Sequence, residues 1–166
     1  MGVRRDGREA AVQFLYLRDL DGDSALEAFY KFRGLSPSAR RFCDSLVNGW
    51  MAHQAPIDEA IRKNTQNYEF KRISVVDRNV LRVALFEMIH CPETPPVVAI
   101  NEAIEIAKKY STEDSGRFVN GVLDQIRRTL DRPSRTAAME PSEAVEQVET
   151  NEPVKEEELR DESEEK

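Results

Sequence analysis

The chain has 166 residues, 40% of them apolar and 33% charged, with a formal net charge of −7. That is room for one domain and a tail, and no apolar run approaches the roughly 18 residues of a membrane span. The charge is uneven: residues 133–166 hold 12 acidic and 4 basic residues, net −8, whereas residues 1–132 hold 19 and 20, net +1. The acidic balance therefore describes the tail and does not exclude a nucleic-acid partner for the rest. The tail has no aromatic residue and scatters Val145, Val148, Val154 and Leu159 among glutamates. Such a stretch buries too little apolar surface to offset its ordering entropy. The expectation is a domain over 1–132 followed by a disordered acidic tail over 133–166. Cys43 and Cys91 form neither a metal spacing nor a disulfide framework, and the polar, arginine-bearing N-terminus is not a signal segment. A soluble, cytoplasmic protein without metal or cofactor is expected.

Apolar residues recur at helical spacing almost throughout. The first helix is expected from about Arg8 to Leu20, with Ala11, Val12, Leu15 and Tyr16 inward. Ser24 and Glu27 have the spacing of a capping box for a short second helix carrying Leu26, Phe29 and Tyr30. Ser36-Pro37 reads as a cap with proline at the first helical position, where its missing N–H costs nothing. Ala39, Phe42, Cys43, Leu46 and Trp50 follow as a stripe. Pro56 opens a fourth helix over Ile57, Ala60 and Ile61. Ser74 and Asp77 start a fifth, burying Val80, Leu81, Ala84, Leu85 and Met88 and stopping by Cys91-Pro92. A sixth begins near Val97 and buries Ile100, Ala103, Ile104 and Ala107. Val97–Ile100 could be a strand, but a lone strand leaves its backbone groups unpaired, so helix is preferred. Ser111 to Ser115 interrupts the pattern, and a last helix carries Val119, Val122, Leu123, Ile126 and Leu130. About seven helices with short connections make an all-α bundle.

Some residues could carry function. Arg4, Arg5 and Arg8 form a basic arm, diluted by Asp6. Such an arm is either a solvated helix start or a set of phosphate contacts, which add salt-dependent affinity without reading sequence. Phe118, beside Arg117, is either a helix-edge packing residue or a platform for a splayed base. Asp114 and Asp77 suit helix starts, where the dipole favours an acid, and Arg78 reads as a surface arginine. Arg82 could face a ligand or pair with an acid inside the bundle. Gly121 within a helix suggests close helix approach, and Asn101 and Asn120 suggest hydrogen bonds between helices. His53 and His90 lie near helix ends. His90 and Cys91 point about 100° apart on a helix, which is poor geometry for a nucleophile–base pair. No glycine-rich phosphate loop, HExxH or CxxC occurs, so no enzyme is expected.

The stretch Val76-Asp-Arg-Asn-Val-Leu-Arg-Val-Ala-Leu-Phe-Glu87 stands ahead of Val98-Ala-Ile-Asn-Glu-Ala-Ile104 and Phe118-Val-Asn-Gly-Val-Leu-Asp124. With Arg8-Glu-Ala-Ala-Val-Gln-Phe-Leu-Tyr16 near the start, these segments resemble the NusB family in kind and order, over about residues 4–130. The resemblance implies an all-α fold of two small sub-bundles and a role in transcription antitermination on ribosomal RNA operons. It also implies boxA-like single-stranded RNA, a NusE-type small-subunit ribosomal protein and the RNA polymerase antitermination complex as partners. By the same resemblance Arg4, Arg5, Arg8, Asp114, Arg117 and Phe118 would face RNA, while Asp77, with Arg78 beside it, would face the NusE-type partner. Asp6 stands where family members can carry a further basic residue. A second reading is a protein-only module acting as a homodimer. A third, the RNA-binding part of a ribosomal RNA methyltransferase, would need a cofactor domain that the polar stretch after 132 does not supply.

Overall fold

A computed structural model of the chain describes residues 2–22, 25–65 and 70–130. The described residues form seven α-helices: α1 (Val3–Asp21), α2 (Leu26–Phe32), α3 (Pro37–Ala52), α4 (Gln54–Asn64), α5 (Val75–His90), α6 (Pro96–Tyr110) and α7 (Glu113–Arg127). One 3-10 turn, Phe70–Arg72, leads into α5. The expected tail over 133–166 lies outside the described residues. No described helix is long and apolar enough to cross a membrane.

Helix α5 is the axis of the fold. Every residue from Asn79 to Met88 is buried, and the helix touches α1, α3, α4, α6 and α7. On one side α1 packs on α3, and the Phe14 and Phe29 rings, 5.8 Å apart, fasten α2 to α1. On the other side α4, α6 and α7 close around α5. These are the two sub-bundles, sharing one central helix.

The caps at α3 and α5 follow the sequence, and α7 has one that the sequence reading did not single out. Ser36 Oγ accepts from the Ala39 N–H at 3.2 Å, with Pro37 opening α3. Ser74 Oγ accepts from the Asp77 N–H at 3.0 Å, and Thr112 Oγ1 from the Ser115 N–H at 3.1 Å. Each satisfies a donor that the first helical turn leaves unpaired. Val97–Ile100 is helical, as preferred over a strand.

Elsewhere the structure corrects the expectation. Helix α1 starts at Val3 rather than Arg8, so Gly7 lies inside it. A Cβ there would come within 2.9 Å of the Phe42 ring and 3.0 Å of the Ala39 carbonyl oxygen, so glycine lets α1 and α3 approach closely. The N-cap of α2 is Ala25, which makes no side-chain cap hydrogen bond; Ser24, expected to form a box with Glu27, lies outside the described residues. Pro56 is the third residue of α4, not its opening, and is tolerated because first-turn N–H groups have no intrahelical acceptor. Ile104 and Tyr16 are half-buried edge residues, and the buried positions beside them are Ile106 and Phe14. Gly121 is exposed with nothing within 4 Å of its would-be Cβ, so it is not a helix contact. The close-approach glycines are instead Gly7, Gly116 and Gly49, where a Cβ would stand 2.0 Å from the Phe86 ring. Asn101 and Asn120 are likewise exposed and do not sit between helices.

Candidate nucleic-acid interface

The arginine arm is three different environments on one helix. Arg8 points into the protein. Its side chain is 6% exposed, and Nε and Nη2 donate to the two carboxylate oxygens of Glu87 at 2.8 and 2.7 Å, a planar fork matched by a carboxylate. Nη1 lies 3.6 Å from Glu102. The expectation that Arg8 extends the outward basic arm is therefore corrected: a helix beginning at Val3 turns position 8 towards α5. Arg5 is half-exposed and binds Glu102 of α6 through two hydrogen bonds, 3.0 and 2.6 Å. The hydrogen bond from Arg5 holds the Glu102 carboxyl below its ordinary range, against the opposing effect of burial. Arg4 is exposed. It donates to the Thr94 hydroxyl at 3.2 Å and lies over the Phe42 ring, 5.2 Å from its centroid. Of the three, Arg4 is engaged by a hydroxyl and a ring rather than by a carboxylate.

The second cluster surrounds the first turns of α5 and α7. A cavity of about 260 Å³ is lined by residues that include Ile73, Ser74, Asp77, Asp114, Ser115 and Phe118. Asp77 is 7% exposed. Its side chain does not reach back to complete a capping box. One carboxylate oxygen accepts from the Ser115 hydroxyl at 3.0 Å, and the other is buried with no hydrogen-bond partner among the described residues. An unpartnered buried carboxylate oxygen is costly and marks a place where a donor from outside would be bound well. Phe118 is half-buried on the cavity wall, while Arg117 and Asp114 project into solvent and pair with each other. Such an exposed pair contributes little to stability and opens readily.

Arg82 is internal and Arg78 half-buried. Arg82 forks onto Asp58 with two 2.8 Å hydrogen bonds, also donates to Asp19, and lies over the Trp50 ring at 4.8 Å. Arg78 donates to Asp19 at 2.9 Å with its side chain 17% exposed. Burial raises the Asp19 pKa, but the hydrogen bonds and charges of Arg78, Arg82 and Asn79 outweigh it, and the group sits below its ordinary range. The open question over Arg82 thus resolves to a pair inside the bundle, and Arg78 is tied to α1 rather than standing free on the surface.

Helix α6 meets both α1 and α7. Its Glu102 and Lys109 meet Arg5 and Glu9 of α1 (Lys109 to Glu9 at 2.8 Å), while Gly116 of α7 sits against its Lys108 and Ile104. The contacts of Arg4 and Arg5 run to Thr94 and Glu102, whereas the cavity beside Phe118 is lined by residues at the starts of α5 and α7. Beside Asp77 on the first turn of α5, Val76 joins Tyr16, Leu17, Phe29 and Tyr110 in an apolar groove of about 450 Å³. Periodicity assigned Tyr16 to the core, and the groove escaped the sequence reading for that reason. The acids that neutralise Arg5 and Arg8 escaped it because Glu87 and Glu102 lie about 80 to 100 residues further along the chain.

Seven helices among the described residues, packed about α5, with basic and aromatic residues at the surface and an unsatisfied acid beside an apolar groove, define a helical binding protein. The NusB family model matches residues 5–128. The transcription antitermination protein NusB of Sorangium cellulosum is 44% identical over 138 residues, covering 81% of this chain and 99% of that protein. That of Elusimicrobium minutum is 45% identical over 133 residues, covering 77% and 95%. Among solved structures, the antitermination factors NusB and NusE in complex with dsRNA align with a TM-score of 0.71 at 30% identity, over 78% of this chain and 99% of that one. T. maritima NusB aligns with a TM-score of 0.69 at 37% identity, over 75% and 90%. The chain belongs to the NusB family.

Proposed function

We propose that the protein is an RNA-binding adaptor in transcription antitermination on ribosomal RNA operons. It holds a boxA-like single-stranded RNA together with a NusE-type small-subunit ribosomal protein, within the RNA polymerase antitermination complex. The observation that carries this reading is the shared cavity: Asp77, expected to face the protein partner, and Phe118 and Asp114, expected to face RNA, line one space. An adaptor needs that juxtaposition, because a protein seated on α5 then touches the same ground as nucleotides on α7.

The roles follow from the environments. Arg4 and Arg5 contact phosphates at the start of α1, and Arg117 does so at α7. Phe118 stacks an unpaired base, a contact worth about 1–3 kcal/mol in single-strand binders. Asp114 holds Arg117 until RNA takes its place. The free oxygen of Asp77 accepts a donor from the partner, whose apolar side chains fill the groove beside Val76, while Arg78 fixes that turn of α5 through Asp19. Arg8 supports the arm from beneath and touches no phosphate. The mechanism is assembly: each partner raises the effective concentration of the next, no covalent step is needed, and the protein acts without a catalytic group.

Phe118→Ala, read by a gel shift on boxA-like RNA, tests this against a substitution at exposed Gln125, further along α7. A loss confined to Phe118→Ala is expected; equal effects, or equal affinity for a scrambled RNA, would remove the base-reading role. A homodimer without RNA binding has one observation in its favour, the exposed apolar side chains of Leu20 and Phe32 on α1 and α2. Sedimentation showing a stable dimer that shifts no RNA would select it.

A further inference from the structure

We propose that Phe42 is a positioning residue for RNA binding: its ring holds the Arg4 guanidinium in a fixed place at the mouth of the arginine arm. The inference rests on the reading of Arg4 as a phosphate contact and adds a residue from α3 to that site.

The geometry is a stack of three groups. Arg4 and Arg8 both lie over the Phe42 ring, their guanidinium carbons 5.2 and 5.3 Å from its centroid. Arg8 cannot shift, because its fork is closed on Glu87 in a buried site. Phe42 cannot shift towards α1, because Gly7 leaves space for the ring and no more: a Cβ on Gly7 would already stand 2.9 Å from the ring's Cδ1. The ring thus packs on α1 at Gly7 and lies within reach of a fixed guanidinium, while Phe42 itself is only half-buried. Arg4, one helical turn before Arg8, lies over that ring and donates to the hydroxyl of buried Thr94.

A long cationic side chain at a helix start ordinarily loses much rotamer freedom when it grips a phosphate. Stacking on a seated ring confines the guanidinium beforehand and leaves most of its N–H groups directed to solvent. A carboxylate would confine it equally but would compete with the phosphate, as Glu102 does at Arg5. An aromatic face attracts the cation without offering an acceptor that RNA must displace.

The test is a set of variants of the full chain binding a boxA-like single-stranded RNA across a salt series. Phe42→Leu keeps apolar volume and removes the ring, and Phe42→Tyr restores it. Phe42→Leu is expected to weaken binding about threefold, as for a partly exposed cation–ring contact. Arg4→Ala is expected to lower the slope of log affinity against log salt by about 0.7, one phosphate on a single strand. The double variant should bind no worse than Arg4→Ala alone, and Phe42→Tyr should bind as the unaltered protein does. A purely structural role for Phe42 would move the melting temperature and leave this coupling at zero. Full additivity of the two changes, or failure of Phe42→Tyr to rescue, overturns the proposal while leaving the RNA reading intact. Absence of any Arg4→Ala effect on the salt slope, or of RNA binding altogether, overturns both.

Discussion

Replacing Glu87 with Gln tests whether Arg8 is a structural ion. The carboxylate is 1% exposed and Arg8 is 6% exposed, so neither charge is solvated, and the pair is closed by hydrogen bonds of 2.8 and 2.7 Å. The amide keeps the shape but loses the charge and one acceptor, leaving the buried guanidinium with Glu102, 3.6 Å away, as its remaining nearby acid. Breaking one side of a buried pair costs roughly 3–5 kcal/mol, against a total stability of about 5–15 kcal/mol for a domain. Urea unfolding should therefore show a large drop in midpoint with an unchanged slope. Changing both partners, Arg8→Met with Glu87→Leu, should recover most of the loss, because an apolar pair of similar volume removes the desolvation cost on both sides. The doubly changed protein should keep the salt dependence of RNA binding. A cost below about 1 kcal/mol for Glu87→Gln would refute the buried-ion assignment.

Glycine substitutions should divide by packing. Gly49→Ala must displace the Phe86 ring and lower the melting temperature, whereas Gly121→Ala meets nothing and should raise stability by up to about 1 kcal/mol; thermal melts decide both. Glu102→Gln should free Arg5 and tighten RNA binding at low salt, with the gain fading as salt screens phosphate contacts. Because the Glu102 pKa is depressed in the folded protein, its contribution to stability is complete above the ordinary carboxylate range and is lost as pH falls through the lowered value. Carboxyl NMR should show Glu102 titrating below that range, and Arg5→Ala should move it upward. Asp77→Ala should weaken binding of the NusE-type protein while leaving RNA binding by the free chain nearly unchanged, as measured by calorimetry and a gel shift respectively.

The helices were legible because their apolar spacing is local, as at Val97–Ile100, and so are the caps at Ser36 and Ser74. The polar core was not, since Arg8, Asp58, Arg82 and Glu87 are charged residues that become buried only when distant helices supply partners. Periodicity treats them as surface. The start of α1 was misplaced, and the close approach of Gly7 to Phe42, 35 residues later, is a contact that no local pattern shows. Gly121 shows the reverse error, a glycine inside a helix that nothing touches. Of the site, Asp77, Asp114 and Phe118 were named from resemblance and share a cavity in the fold, but no local pattern shows that Glu102 of α6 pairs with Arg5.

The central claim is that RNA and a NusE-type protein bind one adaptor cooperatively. Titrating boxA-like RNA into the protein with and without saturating NusE-type protein measures it directly. The account predicts tighter RNA binding in the presence of the partner, with the partner's own affinity raised by the same factor when RNA is saturating. RNA affinity that is identical in both titrations would contradict it.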